Sequence, residues 1–289
     1  MKRAVFMALG SAALFGASAP LCKPLLGSLS PLFFAGLLYL GAAAIAIPFA
    51  LVTRGTQPGP TSRTNRLRLA GGVLTGGVLG PVFLLLGLRA APAASVSLWL
   101  TLELVATAIL AALFFGERLR AAGIGAVLLA LAGAALVASG TGQAGLGAGS
   151  LVAAACTCWA LDNNLTALVR GWTPAAITLL KGVAAGSVNL CLGLALEPLH
   201  GAPADWVRAL AIGAVSYGLS LVLYVGALQG MGAVRTQVVF ASAPLFGLAI
   251  AAIAYGEPVP VTTLLSLPLS AAAVGLLVLE RHEHPRQGR

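Results

Sequence analysis

Ten apolar stretches, each long enough to cross a hydrocarbon core of about 30 Å as a helix, follow one another along the chain with short breaks between them. They fall near residues 4–22, 31–52, 69–88, 92–114, 121–139, 147–168, 174–195, 206–227, 231–254 and 260–279. No break could hold a soluble domain. The longest internal loop is marked by Pro58-Gly59-Pro60, followed by Arg63, Arg66 and Arg68. Charged residues are only 9% of the 289 and apolar residues 59%, whereas a soluble domain is roughly one-quarter charged. The solvent this sequence calls for is lipid. The opening Met1-Lys2-Arg3, an apolar run and Ala17-Ser18-Ala19 imitate a signal peptide, but removing that segment would spoil the repeat described next.

Residues 91–117 and 231–257 align without a gap at an offset of 140. Both end in an aromatic followed by Gly-Glu, at Phe115-Gly116-Glu117 and Tyr255-Gly256-Glu257. A second pair agrees at a similar offset: Ser30-Pro31 opens the second segment and Thr173-Pro174 the seventh. Each half therefore holds five helices, and an odd number makes the second half enter the membrane from the opposite side. The expectation is an all-α membrane protein of ten transmembrane helices, in an inverted five-plus-five repeat around a central cavity. The halves are 1–142 and 143–280, with 281–289 as a cytoplasmic tail. Two inverted halves with a site between them can open alternately to either face, the geometry of secondary transport.

The net charge of +9 does not form the dense basic stripe that marks nucleic-acid binding. With the N-terminus inside, 13 of the 17 basic residues lie on the cytoplasmic side. Only Lys23, Arg89 and Arg208 lie outside, and Lys181 is within a segment. That bias places both termini in the cytoplasm, and a bacterial inner membrane fits. Cys22, Cys156, Cys158 and Cys191 lie in or beside apolar segments, where a free Cys behaves as a small hydrophobe. Cys156-x-Cys158 has no nearby His or further Cys, so no metal site and no cofactor is expected. Gly72, Gly76 and Gly80 form two overlapping GxxxG spacings, which suit close helix packing but recur by chance in a Gly-rich chain.

Phe15-Gly16 in the first helix, the helices ending Gly116-Glu117 and Gly256-Glu257, and the five-plus-five layout resemble the drug/metabolite transporter superfamily, in its EamA-type ten-helix branch. The YddG-type amino-acid exporters belong to that branch. The resemblance spans essentially the whole chain. It implies a carrier with a central cavity, lined by helices 1, 3, 4, 6, 8 and 9, handling amino acids or related small metabolites, often outward. One departure is visible: members often have an Arg in the second helix, where this chain reads Leu37-Leu38-Tyr39.

Ionisable side chains inside a membrane are costly and mark functional candidates. Three are present, Glu103, Asp162 and Lys181. Asp162 lies nine residues before the turn near Gly171 and Lys181 ten after it, so antiparallel helices bring them to one depth as an ion pair, whether functional or structural. Asn163 and Asn164 follow directly and cannot all face the same partner as Asp162. Asn163 shares a helix face with Trp159 and is the candidate cavity amide, able to accept from an ammonium and donate to a carboxylate; a helix–helix hydrogen bond is the alternative. Glu103, with no charge at the repeat-related Ala243, could bind a substrate ammonium or hold a coupling proton. Trp99 and Ser95, on the same face, would form a cavity wall. Gln237 is a candidate donor, Arg235 a cytoplasmic anchor, and Tyr217, Ser220 and Tyr224 share a face suited either to the cavity or to packing. Glu117 and Glu257 read as structural positions at the water boundary. Pro20 and Pro244 each remove a backbone donor and would bend their helices.

Rival classes find less support. His200, His282 and His284 lie outside the apolar segments, and no HExxH or GxSxG motif occurs, so an intramembrane enzyme is not expected. No GxxxxGK[ST] loop suggests an ATP-driven pump. A channel would need a continuous polar file, whereas the polar residues cluster near mid-membrane. The partners expected are a small-molecule substrate and membrane lipids, with no nucleic acid. Protons are a candidate coupling ion, facilitated diffusion is the alternative, and the chain could work as a monomer or homodimer.

Overall fold

The computed structural model describes residues 2–52, 62–115, 121–139, 142–197 and 201–282, and among them there is no strand. Ten helical spans appear in order: α1 (Lys2–Gly27), α2 (Pro31–Val52), α3 (Arg63–Ala90), α4 (Ala93–Phe114), α5 (Ala121–Ser139), α6 (Gly142–Ala167), α7 (Pro174–Leu196), α8 (Pro203–Met231), α9 (Ala233–Phe240 with Ala243–Tyr255) and α10 (Val261–His282). Eight are long and apolar enough to cross a membrane, and α5 and α10 contain the shorter apolar stretches Ile124–Val137 and Val261–Ala273. The ten-helix fold expected from the sequence is the fold observed. Pro58-Gly59-Pro60, Glu117 and residues 283–289 lie outside the described residues.

Several boundaries differ from expectation: α1 runs on to Gly27 rather than 22, α6 begins at Gly142 rather than 147, and α3 and α8 start early. α3 begins at Arg63 rather than near 69, because Ser62 caps it: its hydroxyl accepts from the Asn65 backbone N–H. Arg63, Arg66 and Arg68 therefore belong to a helix, not to the loop. Arg68 and Asn65 then donate to the carbonyls of Leu168 and Arg170, joining the start of α3 to the end of α6. α8 likewise begins earlier, at Pro203, a residue suited to the first helical turn.

Helices pack in pairs that take one member from each half: α2 with α7, α5 with α10, α3 with α6, α8 with α1, and α4 with α9. The α2–α7 pair is antiparallel and rests on glycine. A Cβ at Gly36 would come within 2.6 Å of the Leu190 N, and one at Gly182 within 2.7 Å of the Ala43 N. Backbones this close gain dispersion contacts that lipid tails cannot supply. Glu197, just past α7, accepts from the Leu32 and Phe33 N–H groups at the start of α2. Its negative charge suits the positive end of a helix. Glu257 does the same for α4. Gly256 closes α9 in the left-handed conformation at φ 62°, and the Glu257 carboxylate accepts from the Ala94 N–H. In the described half, the aromatic-Gly-Glu motif is thus a helix stop followed by a cap for the neighbouring helix.

The repeat extends to irregular backbone. α3 contains a π-helical turn at Val73–Leu79, and α8 contains one at Gly213–Leu219, the same 140-residue offset. α4 breaks at Leu100–Thr101 and α9 at Ala241–Ser242. In α9 the break precedes Pro244, whose missing N–H leaves the Phe240 carbonyl without its usual partner. α4 has no proline there. Instead the Thr101 hydroxyl donates to the Leu98 carbonyl, as the Ser242 hydroxyl does to Val239 in α9. Such back-bonding competes with the helix ladder and bends it.

Candidate functional site

Three of the four irregular helices, α4, α8 and α9, meet α1, α2 and α6 around one cavity; α2 takes the place expected for α3, whose backbone stands behind the Tyr39 and Trp159 side chains. Its walls are mainly aromatic: Phe15, Tyr39, Trp159, Tyr217, Tyr224 and Phe240. Phe15 sits at the centre of this box, with ring centroids 5.4 Å from Trp159, 5.6 Å from Tyr217 and 5.5 Å from Phe240. Tyr39 meets Tyr217 at 5.8 Å, and Tyr224 meets Phe240 at 4.8 Å. Most of these pairs are edge-on, the geometry the ring quadrupoles favour.

The backbone of α3 explains where two of those rings stand. In the π turn the Gly80 N–H bonds to the Thr75 carbonyl, five residues back. The next donor in that series would serve Gly76, but it belongs to Pro81, which has no N–H. Two cavity side chains fill the vacancy: the Tyr39 hydroxyl at 2.5 Å and the Trp159 indole N–H at 3.0 Å both donate to the Gly76 carbonyl. The neighbouring Gly77 and Val78 carbonyls accept from Asn189 of α7. A buried carbonyl left bare costs on the order of 1–3 kcal/mol, so Pro81 in effect fixes Tyr39 and Trp159.

The Gly72, Gly76 and Gly80 row faces α6. A Cβ on Gly72 would meet the Asp162 carboxylate at 2.5 Å, one on Gly76 would overlap the same side chain, and one on Gly80 would meet the Trp159 ring at 2.5 Å. Seated in that groove, Asp162 Oδ1 lies 2.5 Å from Lys181 Nζ and accepts from Thr166 at 2.8 Å, while Lys181 also donates to Thr166 at 2.9 Å. Lys181 is 2% exposed and does not line the cavity, whereas Asp162 does.

The three consecutive polar residues of α6 divide their partners. Asp162 turns to Lys181, Asn163 donates to Glu103 Oε1 at 2.8 Å, and Asn164 donates to the Ala160 and Thr107 carbonyls. Asn163 and Asn164 thus both bond α6 to α4, so the helix–helix hydrogen bond considered for Asn163 is present, made to a side chain that lines the cavity. Glu103 is better supplied than the sequence suggested. Besides Asn163, it takes a side-chain hydrogen bond from Gln237 of α9. The Tyr224 hydroxyl donates to Gln237 Oε1, so the amide N–H₂ of Gln237 is left for the carboxylate. The order of donation, Tyr224 to Gln237 to Glu103, with Asn163 joining from α6, ends on one carboxylate beside both helix breaks. A smaller adjoining void among α1, α4 and α9 also touches Glu103, and Gln237 lines it.

Of the residues singled out in the sequence, Glu103, Trp159, Asp162, Asn163, Tyr217, Ser220 and Tyr224 line the main cavity, and Gln237 lines the adjoining void. Trp99 is a correction. It is 1% exposed, its indole donates to the Ala134 carbonyl of α5, and its ring packs at 3.4 Å from where a Cβ on Gly149 of α6 would stand. The α4 break at Leu100–Thr101, between Trp99 and Glu103, turns the two away from a common face. Arg235 is exposed. Tyr39, Phe15 and Phe240 were not picked as site residues, because nothing local separates a cavity aromatic from a packed one. For Tyr39 the available signal was Pro81, which implies an orphan carbonyl nearby.

The sequence profile of the EamA-like transporter family matches the chain twice, over residues 2–139 and 147–279. No curated protein sequence matches it. A solved structure described as "Crystal structure of protein" is similar in fold, with a TM-score of 0.71 at 20% identity over 98% of this chain and 99% of that one. Ten apolar helices, a central cavity and a family match over both halves lead to one statement: this chain belongs to the EamA-like transporter family, multi-pass membrane proteins that move small molecules.

Proposed function

We propose that the protein exports amino acids or similar small metabolites bearing an amine, by alternating access of its two halves, 1–142 and 143–280, in the manner of the YddG-type exporters. In this reading the membrane is a bacterial inner membrane, both termini are cytoplasmic, and protons entering at Glu103 are the candidate coupling ion. The single observation that supports it best is the convergence of side-chain donors on Glu103. Asn163 and Gln237 both give hydrogen bonds to a carboxylate at the rim of an aromatic cavity. Neutral donors hold an anion in place without cancelling its charge, so the site favours a ligand that brings a positive group. Broken helices at mid-membrane are where carriers of this architecture bind their substrates. The aromatic box accommodates an apolar side chain.

The test is counterflow in proteoliposomes loaded with a mixture of amino acids, read by mass spectrometry. Selective exchange should fall by at least about tenfold in Glu103→Gln, the size of one charge-assisted hydrogen bond, and less in Asn163→Ala. Exchange of no amino acid by folded protein would remove the amino-acid assignment.

A further inference from the structure

We infer that the cavity selects monocationic amines over zwitterions: its preferred ligand has a protonated amine and an apolar body, and has no free carboxylate. The inference rests on reading this cavity as the substrate site and narrows the chemistry it takes. It starts from a count of charges. The two ionisable acids lining the cavity are Glu103 and Asp162, and they differ in partners. Asp162 is matched by Lys181 at 2.5 Å, so that pair is neutral as a unit. Glu103 receives amide hydrogen bonds and no cation. Among the described residues lining the cavity none is a Lys or Arg. Lys23 of α1 and Lys181 of α7 are both engaged. Lys181 is held by Asp162 and Thr166, and Lys23 donates to the Leu88 and Ala91 carbonyls at the far end of α3.

An anionic ligand group would therefore enter a space with one uncompensated carboxylate and no cation to receive it. The aromatic walls add to the bias, because ring faces present negative potential, attracting cations and repelling anions. A second observation points the same way. The Tyr217 hydroxyl lines the cavity, is buried, and among the described residues has only the Ser18 side chain as a polar neighbour. A phenol oxygen inside an apolar wall that donates to a serine still offers its lone pairs to an ammonium N–H. Glu103 and Tyr217 supply two acceptors of different charge, and the ring faces of Phe15 and Phe240 can cover the remaining N–H groups. A carboxylate, by contrast, would find only neutral hydroxyl and amide donors and no cation.

Equilibrium binding separates these alternatives without the complication that amines leak across bilayers. The full-length protein in detergent is titrated calorimetrically at pH 8 with phenethylamine, phenylalanine and 3-phenylpropanoate, which share a ring and differ in charge. The expected order is phenethylamine tightest, phenylalanine weaker by about tenfold, and 3-phenylpropanoate without measurable binding. Glu103→Gln should lose most of the amine affinity, and Tyr217→Phe, which keeps the ring and the packing, should lose about threefold. Phenylalanine binding as tightly as phenethylamine or tighter would overturn this inference and leave the amino-acid carrier standing. Phenethylamine binding that is unchanged in Glu103→Gln and Tyr217→Phe would also overturn it. If none of the three binds to folded protein, the inference falls together with the reading of the cavity as a substrate site.

Discussion

The seam between α3 and α6 and the seam between α8 and α1 are built on the same backbone plan and filled with different chemistry. Both long helices contain a π turn, at Val73–Leu79 and Gly213–Leu219, in the same register of the repeat. In α3 the turn is followed by Pro81, and the orphaned Gly76 carbonyl collects Tyr39 and Trp159. In α8 the matching position is Leu221, which keeps its N–H, and Tyr217 faces the cavity instead of a backbone carbonyl of the turn. In α3 a glycine row accepts the Asp162–Lys181 pair, whereas in α8 Ser220 meets Ser11 through hydroxyls at 2.9 Å. The polar investment is thus concentrated in one seam. In the carrier proposed above, symmetry of fold supplies two equivalent frames for movement, and asymmetry of side chains supplies one binding site between them.

The largest expected contrast comes from charge. Lys181→Met strands Asp162 as an uncompensated buried anion, and should cost about 3–5 kcal/mol, seen as a collapse of the thermal unfolding midpoint in detergent. Adding Asp162→Leu should recover most of that loss. A single variant as stable as the parent would mean that the pair is not a strut of the first seam.

Gly76→Val tests shape instead. Its side chain would occupy the volume of Asp162, and a loss of about 2–3 kcal/mol is expected. Ser216→Ala, at the matching position of the other seam, should stay within about 1 kcal/mol. Equal losses at both positions would erase the distinction between the seams.

Pro81→Ala sharpens the comparison by making α3 resemble α8. Residue 81 regains a donor that competes for the Gly76 carbonyl, so Tyr39 and Trp159 should loosen at a stability change of up to about 1 kcal/mol. The reading is the indole emission assigned to Trp159 by difference against Trp159→Phe. An unchanged difference spectrum would show that the ring is held by packing alone. Smallest of all, Ser220→Ala removes one hydroxyl pair from the second seam and should shift stability by about 0.5–1 kcal/mol.

What could be read in advance followed the locality of the signal. Span number and limits depend on runs of apolar residues, and the halves on a gapless repeat, so both are visible without contacts. Pro244 announces the α9 break by its missing N–H. The equivalent break in α4 went unseen, because Thr101 resembles any helical threonine until its hydroxyl turns back to Leu98. The depth of Asp162 and Lys181 was legible because a turn fixes how two antiparallel helices lie beside each other. The misplacement of Trp99 has the opposite cause. A helix apolar on all sides has no stripe to fix its rotation, and a break between Trp99 and Glu103 further separates residues that a regular helix would align.

The sequence alone therefore determined the solvent, the ten spans, the repeat and the handful of groups too polar to be in a membrane by accident, since each follows from transfer energies of local segments. Only the tertiary structure decided which of those groups meet. That Glu103 receives Asn163 and Gln237, that Asp162 is matched by Lys181, and that Pro81 places Tyr39 and Trp159 all depend on helix rotation and on close backbone approach. Those are set by the packing of glycine faces against neighbouring helices, which no single segment encodes by itself.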